Sequence, residues 1–241
     1  MNIFITIFFA LLLAVGIALL IVLQFPAFGR APRGKRLERI KQSPHYRNGR
    51  FHNIRNAPTL TSSKSLVQRM KEFIFDRPRR LKPSAPLPFV HTSLSTLAQA
   101  NDDVLVWLGH SSVFLKTDGL TFLVDPVFTT ASPFPWMFSP FKGSNDFTIE
   151  EVPPIDVLII THDHYDHLDY RTIKRLRQRV TRVVCPLGVG EHLERWGYSS
   201  DAITELDWDE SVLLDHQIQL HCLSTQHFSG RFLHPGNTLW A

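Results

Sequence analysis

The chain opens on an apolar run from Ile3 to Leu23 in which Thr6 is the only polar side chain. As a helix it would be about 32 Å long, enough to cross the hydrocarbon core of a bilayer. No Lys or Arg precedes it, and it is longer than the apolar region of a signal peptide. Residues 1–24 are therefore expected to form an uncleaved transmembrane anchor. A cleaved signal peptide, with Ala27-Phe28-Gly29 as its small-x-small site, is the alternative. Beyond this run the pattern changes. Residues 25–100, rich in basic residues and proline, are expected to be a linker with one helix, whose period stands out: Leu66, Val67, Met70, Phe73 and Ile74 behind Ser65, a suitable N-cap. This stripe is expected to pack on the core or cover the following domain. A membrane-surface helix is the alternative, because Lys64, Arg69 and Lys71 flank it. From Arg77 to Pro88 four prolines exclude a helix and predict an extended linker.

The globular body is expected from about residue 101, with its first strand at Val104–Leu108. Val113–Lys116 and Leu120–Val124 follow, the last two joined by a hairpin turn at Asp118-Gly119. After Pro153-Pro154 a strand spans Asp156–Ile160. A helix then begins behind Asp169, with Ile173, Leu176 and Val180 on one face. Val183–Cys185 is a further strand, Val189–Trp196 a short helix stopped by Gly197, and Ile203–Leu206, Val212–Leu214 and Ile218–Leu223 complete the strands. Strands followed by strand–helix alternation indicate an α/β layered domain.

Charge sharpens the division. Residues 1–23 carry no charged side chain, residues 24–82 hold sixteen Lys/Arg against three acids, and residues 83–241 hold ten against nineteen. A basic collar of Arg30, Arg33, Lys35, Arg36, Arg39 and Lys41 beside the apolar run predicts a body on the cytoplasmic side. A folded body with excess acid argues against nucleic acid as a partner. Cys185 and Cys222, both in apolar strands, read as buried free thiols, a disulfide being the alternative.

The chemistry concentrates after the strand at Asp156–Ile160, in Thr161-His162-Asp163-His164-Tyr165-Asp166-His167-Leu168-Asp169. Imidazole and carboxylate are the ligands that zinc takes, and residues two apart in an extended loop point the same way. His162, His164 and Asp166 can converge, while His167 faces elsewhere, which suits two adjacent metal pockets. His162 and His164 need a third partner, and His227, after the strand ending at Leu223, is the best candidate. Asp125, at the end of another strand, either receives the second nitrogen of a ligating histidine or caps a turn. His110 either lines the pocket or is a structural histidine. No nucleophile elbow and no phosphate-binding loop is present.

These residues resemble the metallo-β-lactamase superfamily, whose hallmark is H-x-H-x-D-H after a strand. The likeness is closest to the branch containing N-acylphosphatidylethanolamine-hydrolysing phospholipase D. It is carried by Trp107-Leu108-Gly109-His110, Leu123-Val124-Asp125-Pro126, Pro153-Pro154-Ile155-Asp156, the metal motif through Tyr170, Glu205-Leu206-Asp207-Trp208 and Gln226-His227-Phe228. The resemblance implies an αββα sandwich over residues 101–241. It places a first zinc on His162, His164 and His227 and a second on Asp166 and His167, with Asp166 at the reaction centre. The implied reaction is hydrolysis of a phosphodiester in a membrane phospholipid. A lactonase or thioesterase of the same superfamily is the second expectation, and a non-catalytic metal-binding fragment the third. Family members carry a further bridging aspartate and a last histidine downstream of the position matching His227. Here fourteen residues follow His227, none of them Asp or Glu, and His234 is the sole remaining ligand type. The sandwich is accordingly expected to lack its C-terminal part, to leave the second zinc site incomplete and to expose a strand edge near Thr238–Ala241. Low activity and aggregation are the expected consequences.

Overall fold

The computed structural model describes residues 3–55, 64–76, 82–134, 136–144, 147–231 and 234–241, without the side chains of Phe4, Phe73, His216 and His234. In chain order the elements are α1 (Ile3–Leu23), α2 (Gly34–Gln42), β1 (Tyr46–Arg47), β2 (Arg50–Phe51), α3 (Leu66–Phe75), α4 (Leu94–Ala98), β3 (Val104–Gly109), β4 (Ser112–Thr117), β5 (Leu120–Val124), β6 (Ile155–Ile159), α5 (Tyr170–Leu176), β7 (Val180–Pro186), α6 (Gly190–Arg195), β8 (Ile203–Leu206), β9 (Ser211–Leu213), β10 (Gln219–His221), β11 (Gly230–Arg231) and β12 (His234–Pro235).

One mixed sheet in the order β3-β4-β5-β6-β7-β8 organises the domain. The β3–β4 and β4–β5 pairs are antiparallel, and β5 to β8 run parallel. The β4–β5 turn at Asp118-Gly119 takes positive φ at both residues (47° and 77°), the conformation a tight hairpin requires. Parallel strands need crossovers, and α5 and α6 supply two of them. Both sheet faces are covered, so the central strands are apolar on both sides. One face carries Leu108, Phe114, Leu123 and Leu158 against Leu94, Ile173, Leu176, Leu193 and Trp196. The other carries Leu120, Phe122, Val157 and Val184 against Ile40, Phe51, Trp208, Leu214 and Trp240. Four-layer packing would need a second full sheet on that face. Among the described residues the non-helical partners there are two-stranded ribbons, β1–β2, β9–β10 and β11–β12. Cys185 and Cys222 are buried free thiols, and burial pushes Cys222 up to about 12.

Four expectations change. Val180 does not extend the α5 face; a single 3₁₀ turn ends the helix and Val180 begins β7. The Thr238–Ala241 segment forms no strand and no exposed edge: Leu239 and Trp240 are buried, the Leu239 amide donates to Leu187 O, and the Ala241 amide donates to Thr161 O. The stretch expected as linker is in part a structural layer. Phe28, Ile40 and Phe51 are buried, and α2 lies on the acidic residues of α6 and β8. Burying Ile40 and Phe51 removes apolar surface worth roughly 1.5–3 kcal/mol per side chain, which an extended linker could not recover. The described side chains of the α3 stripe, conversely, face solvent. Its Ser65–Gln68 capping box forms as the sequence predicts, yet Leu66, Val67, Met70 and Ile74 are all more than half exposed. Residues 77–81 of the proline-rich segment lie outside the described residues.

Candidate metal centre

The carboxyl ends of β3, β5 and β6 share one edge of the sheet, where open α/β sheets place their ligands. His110 follows β3, Asp125 follows β5, and residues 161–167 follow β6. His162 Nε2 lies 2.9 Å from His164 Nδ1 and 3.0 Å from His227 Nε2. One donor atom from each of the three falls within 4.8 Å of the others. A second group, equally close, consists of His110, Asp166 and His167. The His162 and His167 rings of the two groups lie 4.0 Å apart between centroids.

Three of the histidine rings are aimed by a partner, those of His162, His167 and His110. Asp125, almost fully buried, accepts from the Thr161 amide at 2.8 Å and from the Thr161 hydroxyl at 2.6 Å. The same carboxylate lies 2.8 Å from His167 Nδ1, which leaves Nε2 facing the second group. Thr161 Oγ1 in turn lies 3.0 Å from His162 Nδ1. Asp125 therefore orients one imidazole directly and another through a hydroxyl, while its own backbone sits at φ 42°, so capping and orientation coincide in one residue. His110, left as pocket lining or structural by sequence, has Nε2 3.1 Å from Asp166 Oδ2. Its ring is displayed by a left-handed backbone (φ 46°), and its carbonyl accepts from the Trp107 indole at 2.8 Å.

Three residues of this region went unread in the sequence. Asn53 clamps the His227 backbone on both sides, donating to His227 O at 2.7 Å and accepting from its amide at 3.1 Å. Asp163, between the two histidines, points away from the pocket into a buried cluster. Its carboxylate accepts from the Gly230 amide at 2.7 Å and lies 3.2 Å from His192 Nε2, while Arg231 donates to its carbonyl at 2.8 Å. Burial alone would push Asp163 up, but His192 and Arg231 hold it well below the usual carboxylate range. The Arg231 guanidinium also donates to Leu168 O and Ala27 O, tying the metal loop to the segment that follows α1. A charged residue alternating with ligand positions was the available signal for Asp163. Asn53 reaches His227, and Arg231 the metal loop, only by tertiary contact.

The donor set suits a divalent metal. Burial first, and then the neighbouring imidazoles of His167, His164 and His227, lower His162 to about 2. Burial also lowers His164 and His227. Three neutral imidazoles whose ring nitrogens face one another cannot all satisfy each other, because each nitrogen pair needs one proton or one cation between its lone pairs. A cation satisfies all three at once. Imidazole with a neighbouring carboxylate group is a borderline-metal set, which these geometries leave open among zinc, iron and manganese.

The β-lactamase superfamily domain matches residues 121–241, half of the chain. This protein belongs to that superfamily. A protein of Mycobacterium tuberculosis to which no function is ascribed is 36% identical over 204 residues, covering 83% of this chain and 54% of its own length. The N-acyl-phosphatidylethanolamine-hydrolyzing phospholipase D 1 of Caenorhabditis elegans is 32% identical over 145 residues, 56% of this chain and 41% of that protein. A solved structure, the diiron β-hydroxylase CmlA from Streptomyces venezuelae, is 36% identical with a TM-score of 0.37, covering 47% of this chain and 22% of that one. The chain spans about half the length of the curated relatives it matches. Its superfamily motif, His162 to His167, lies inside the matched region, whereas His110 and Asn53 precede it.

Proposed function

We propose that the chain carries the metal centre of a membrane-associated hydrolase, with the phosphodiester of an N-acylphosphatidylethanolamine-type phospholipid as substrate. The observation that carries this reading is the pair of adjacent donor groups at one sheet edge. In it, His162, His164 and His227 hold one zinc, and Asp166 and His167 hold the second, with His110 as third donor where sequence left that site incomplete. Two such ions would polarise a phosphoryl oxygen and provide a nucleophile at neutral pH. The chain's own residues set the geometry. Asp125 and Thr161 fix the ring planes of His162 and His167, Asn53 fixes His227, and Asp166 holds His110 at the rim.

The lipid substrate is supported by the likeness to the C. elegans phospholipase D and by α1, whose apolar side chains face outward along a span of 19 residues long enough to cross a membrane. The basic residues after α1 favour a body on the cytoplasmic side by the positive-inside tendency. They serve anionic lipid less than their number suggests. Arg30, Arg33, Arg36 and Arg39 pair with Glu191, Glu194, Glu205 and Glu210 of the domain.

The test is metal content together with turnover by the full chain in phospholipid vesicles. Two zincs per chain, with release of N-acylethanolamine from N-acylphosphatidylethanolamine but no cleavage of lactone or thioester probes, is the expected result. Turnover of a lactone or thioester alone would move the reading to another hydrolase of the superfamily. One metal or none, with no turnover of any ester, would leave a non-catalytic fragment.

A further inference from the structure

The loop between β5 and β6 carries no charged side chain from Pro126 to Phe141. It nevertheless faces solvent with large apolar groups: Trp136 is 76% exposed, Phe138 62% and Phe141 46%. Singly exposed apolar residues are ordinary, but three large exposed aromatics within six residues of an uncharged loop mark an interaction surface. This patch is built rather than floppy. The Thr130 hydroxyl donates to Met137 O at 2.7 Å, and the Ala131 amide donates to Phe138 O at 3.1 Å. Phe138 is held at φ 47°, a conformation that costs a bulky residue about 1–3 kcal/mol and turns its ring outward.

The position of the patch identifies its occupant. Its Phe134 ring lies 6.3 Å from Phe25 and 5.9 Å edge-on to Phe28, the residues at the foot of α1. That foot is bolted to the domain. Arg195 donates to Gln24 O at 3.0 Å and to Gly29 O at 2.8 Å, and the Trp196 indole donates to Pro26 O at 2.9 Å. Where α1 leaves the domain it is therefore flanked by Phe25, Phe134 and Trp136, the last two rings stacked at 5.2 Å. Tryptophan and phenylalanine beside the end of a spanning helix are the chemistry of the bilayer interface. Lys142 closes the loop with a long stem and a charged head that can reach headgroups.

The other end of the loop reaches the metal centre. Thr129 donates to Asp169 through its amide at 2.9 Å and its hydroxyl at 2.7 Å, and the Phe128 amide donates to Thr172 at 3.1 Å. Asp169 caps α5, two residues beyond His167. We propose that the 131–141 loop is a second, interfacial membrane contact beside α1. It seats the sheet edge bearing the two donor groups against the lipid surface. The inference rests on the reading of α1 as an anchor, so the experiment separates the two.

The full chain would be reconstituted in phosphatidylcholine vesicles with a nitroxide placed singly at Ala14→Cys, Trp136→Cys, Phe138→Cys or Asp201→Cys, the native cysteines being buried. Accessibility to oxygen and to a water-soluble nickel chelate reads immersion in lipid. The expected result is a deep-lipid signature at 14, a shallow-lipid signature at 136 and 138 with nickel access several-fold below that at 201, and a water signature at 201. Water signatures at 136 and 138 with position 14 in lipid would overturn the loop contact while leaving the anchor. Water signatures at 14, 136 and 138 together would overturn both. Low access to oxygen and nickel alike at 136 and 138 would show a protein–protein contact and would also overturn the proposal.

Discussion

His227 Nε2 stands 3.0 Å from His162 Nε2, although 65 residues of chain separate them. Two imidazoles on one tetrahedral zinc, each at about 2.0–2.1 Å from it, have donor atoms roughly 3.3 Å apart. The pair is therefore held near chelating distance by the protein alone, with His162 buried and the backbone of His227 clamped by Asn53.

Replacing His227 removes one of three donors without opening the core, since its side chain sits at the partly exposed mouth. His227→Ala is expected to weaken the tightest metal site more than tenfold, read by competition with a chromogenic chelator. His110→Ala should leave that site intact and lower only the occupancy of the weaker one. Equal losses from both variants would show that the donors form one group rather than two.

Asp125→Asn keeps shape and tolerates the left-handed backbone at this position, but it replaces an acceptor pair with an amide. Thr161 and His167 then compete for a single carbonyl oxygen. Metal affinity should fall by about 10–100-fold, and the metal-free fold should lose about 1–3 kcal/mol in urea unfolding. Unchanged affinity would reduce Asp125 to a turn cap.

Acid should destabilise the metal-free protein from the neutral side. His162 is lowered from its ordinary value near 6.5 to about 2 by burial and by the neighbouring imidazoles, so in the folded state it stays neutral while the unfolded chain takes up a proton. The unfolded state binds more protons in that interval, and stability rises with pH there. Its contribution is complete above about pH 7 and is lost progressively as pH falls towards 2. His164 and His227, lowered in the same sense, add to the slope. A urea midpoint that rises as pH falls from 7 to 5 would contradict this reading. Chelation at pH 7 should lower the melting temperature, because bound metal stabilises the folded state alone.

Arg36 bridges three carboxylates: Glu205 at 2.6 Å, Glu194 at 2.7 Å and Glu191 at 2.8 Å. Despite a burial cost that would lower it, these partners raise its pKa, so it remains charged. Arg36→Ala leaves the nearly buried Glu205 without its arginine, while Glu191 keeps Arg30 and Arg33, and is expected to cost about 3–5 kcal/mol in chemical denaturation. Arg39→Ala, whose pair with Glu210 is half exposed, should cost about 1 kcal/mol or less. Equal costs would mean that α2 is held by its apolar face alone.

By itself the sequence determined whatever depends on local period and on residue type. Helix α1 follows from an unbroken apolar run, the β4–β5 hairpin from Asp118-Gly119, the α5 start from Asp169, and the metal loop from three histidines and an aspartate at alternating positions. Tertiary structure decided everything that depends on which distant groups meet. Arg30, Arg33, Arg36 and Arg39 read as a membrane collar, because sequence shows their charge and not the glutamates that neutralise it. His110 read as ambiguous, because only the antiparallel β3–β4–β5 order brings the end of β3 beside Asp166. The α3 stripe read as core-facing, since amphipathic spacing records a preference for an apolar neighbour and not whether the fold provides one. Local pattern fixes the conformation of a segment through its own backbone and side chains, whereas a site joins residues through space, and no period in the chain encodes that distance.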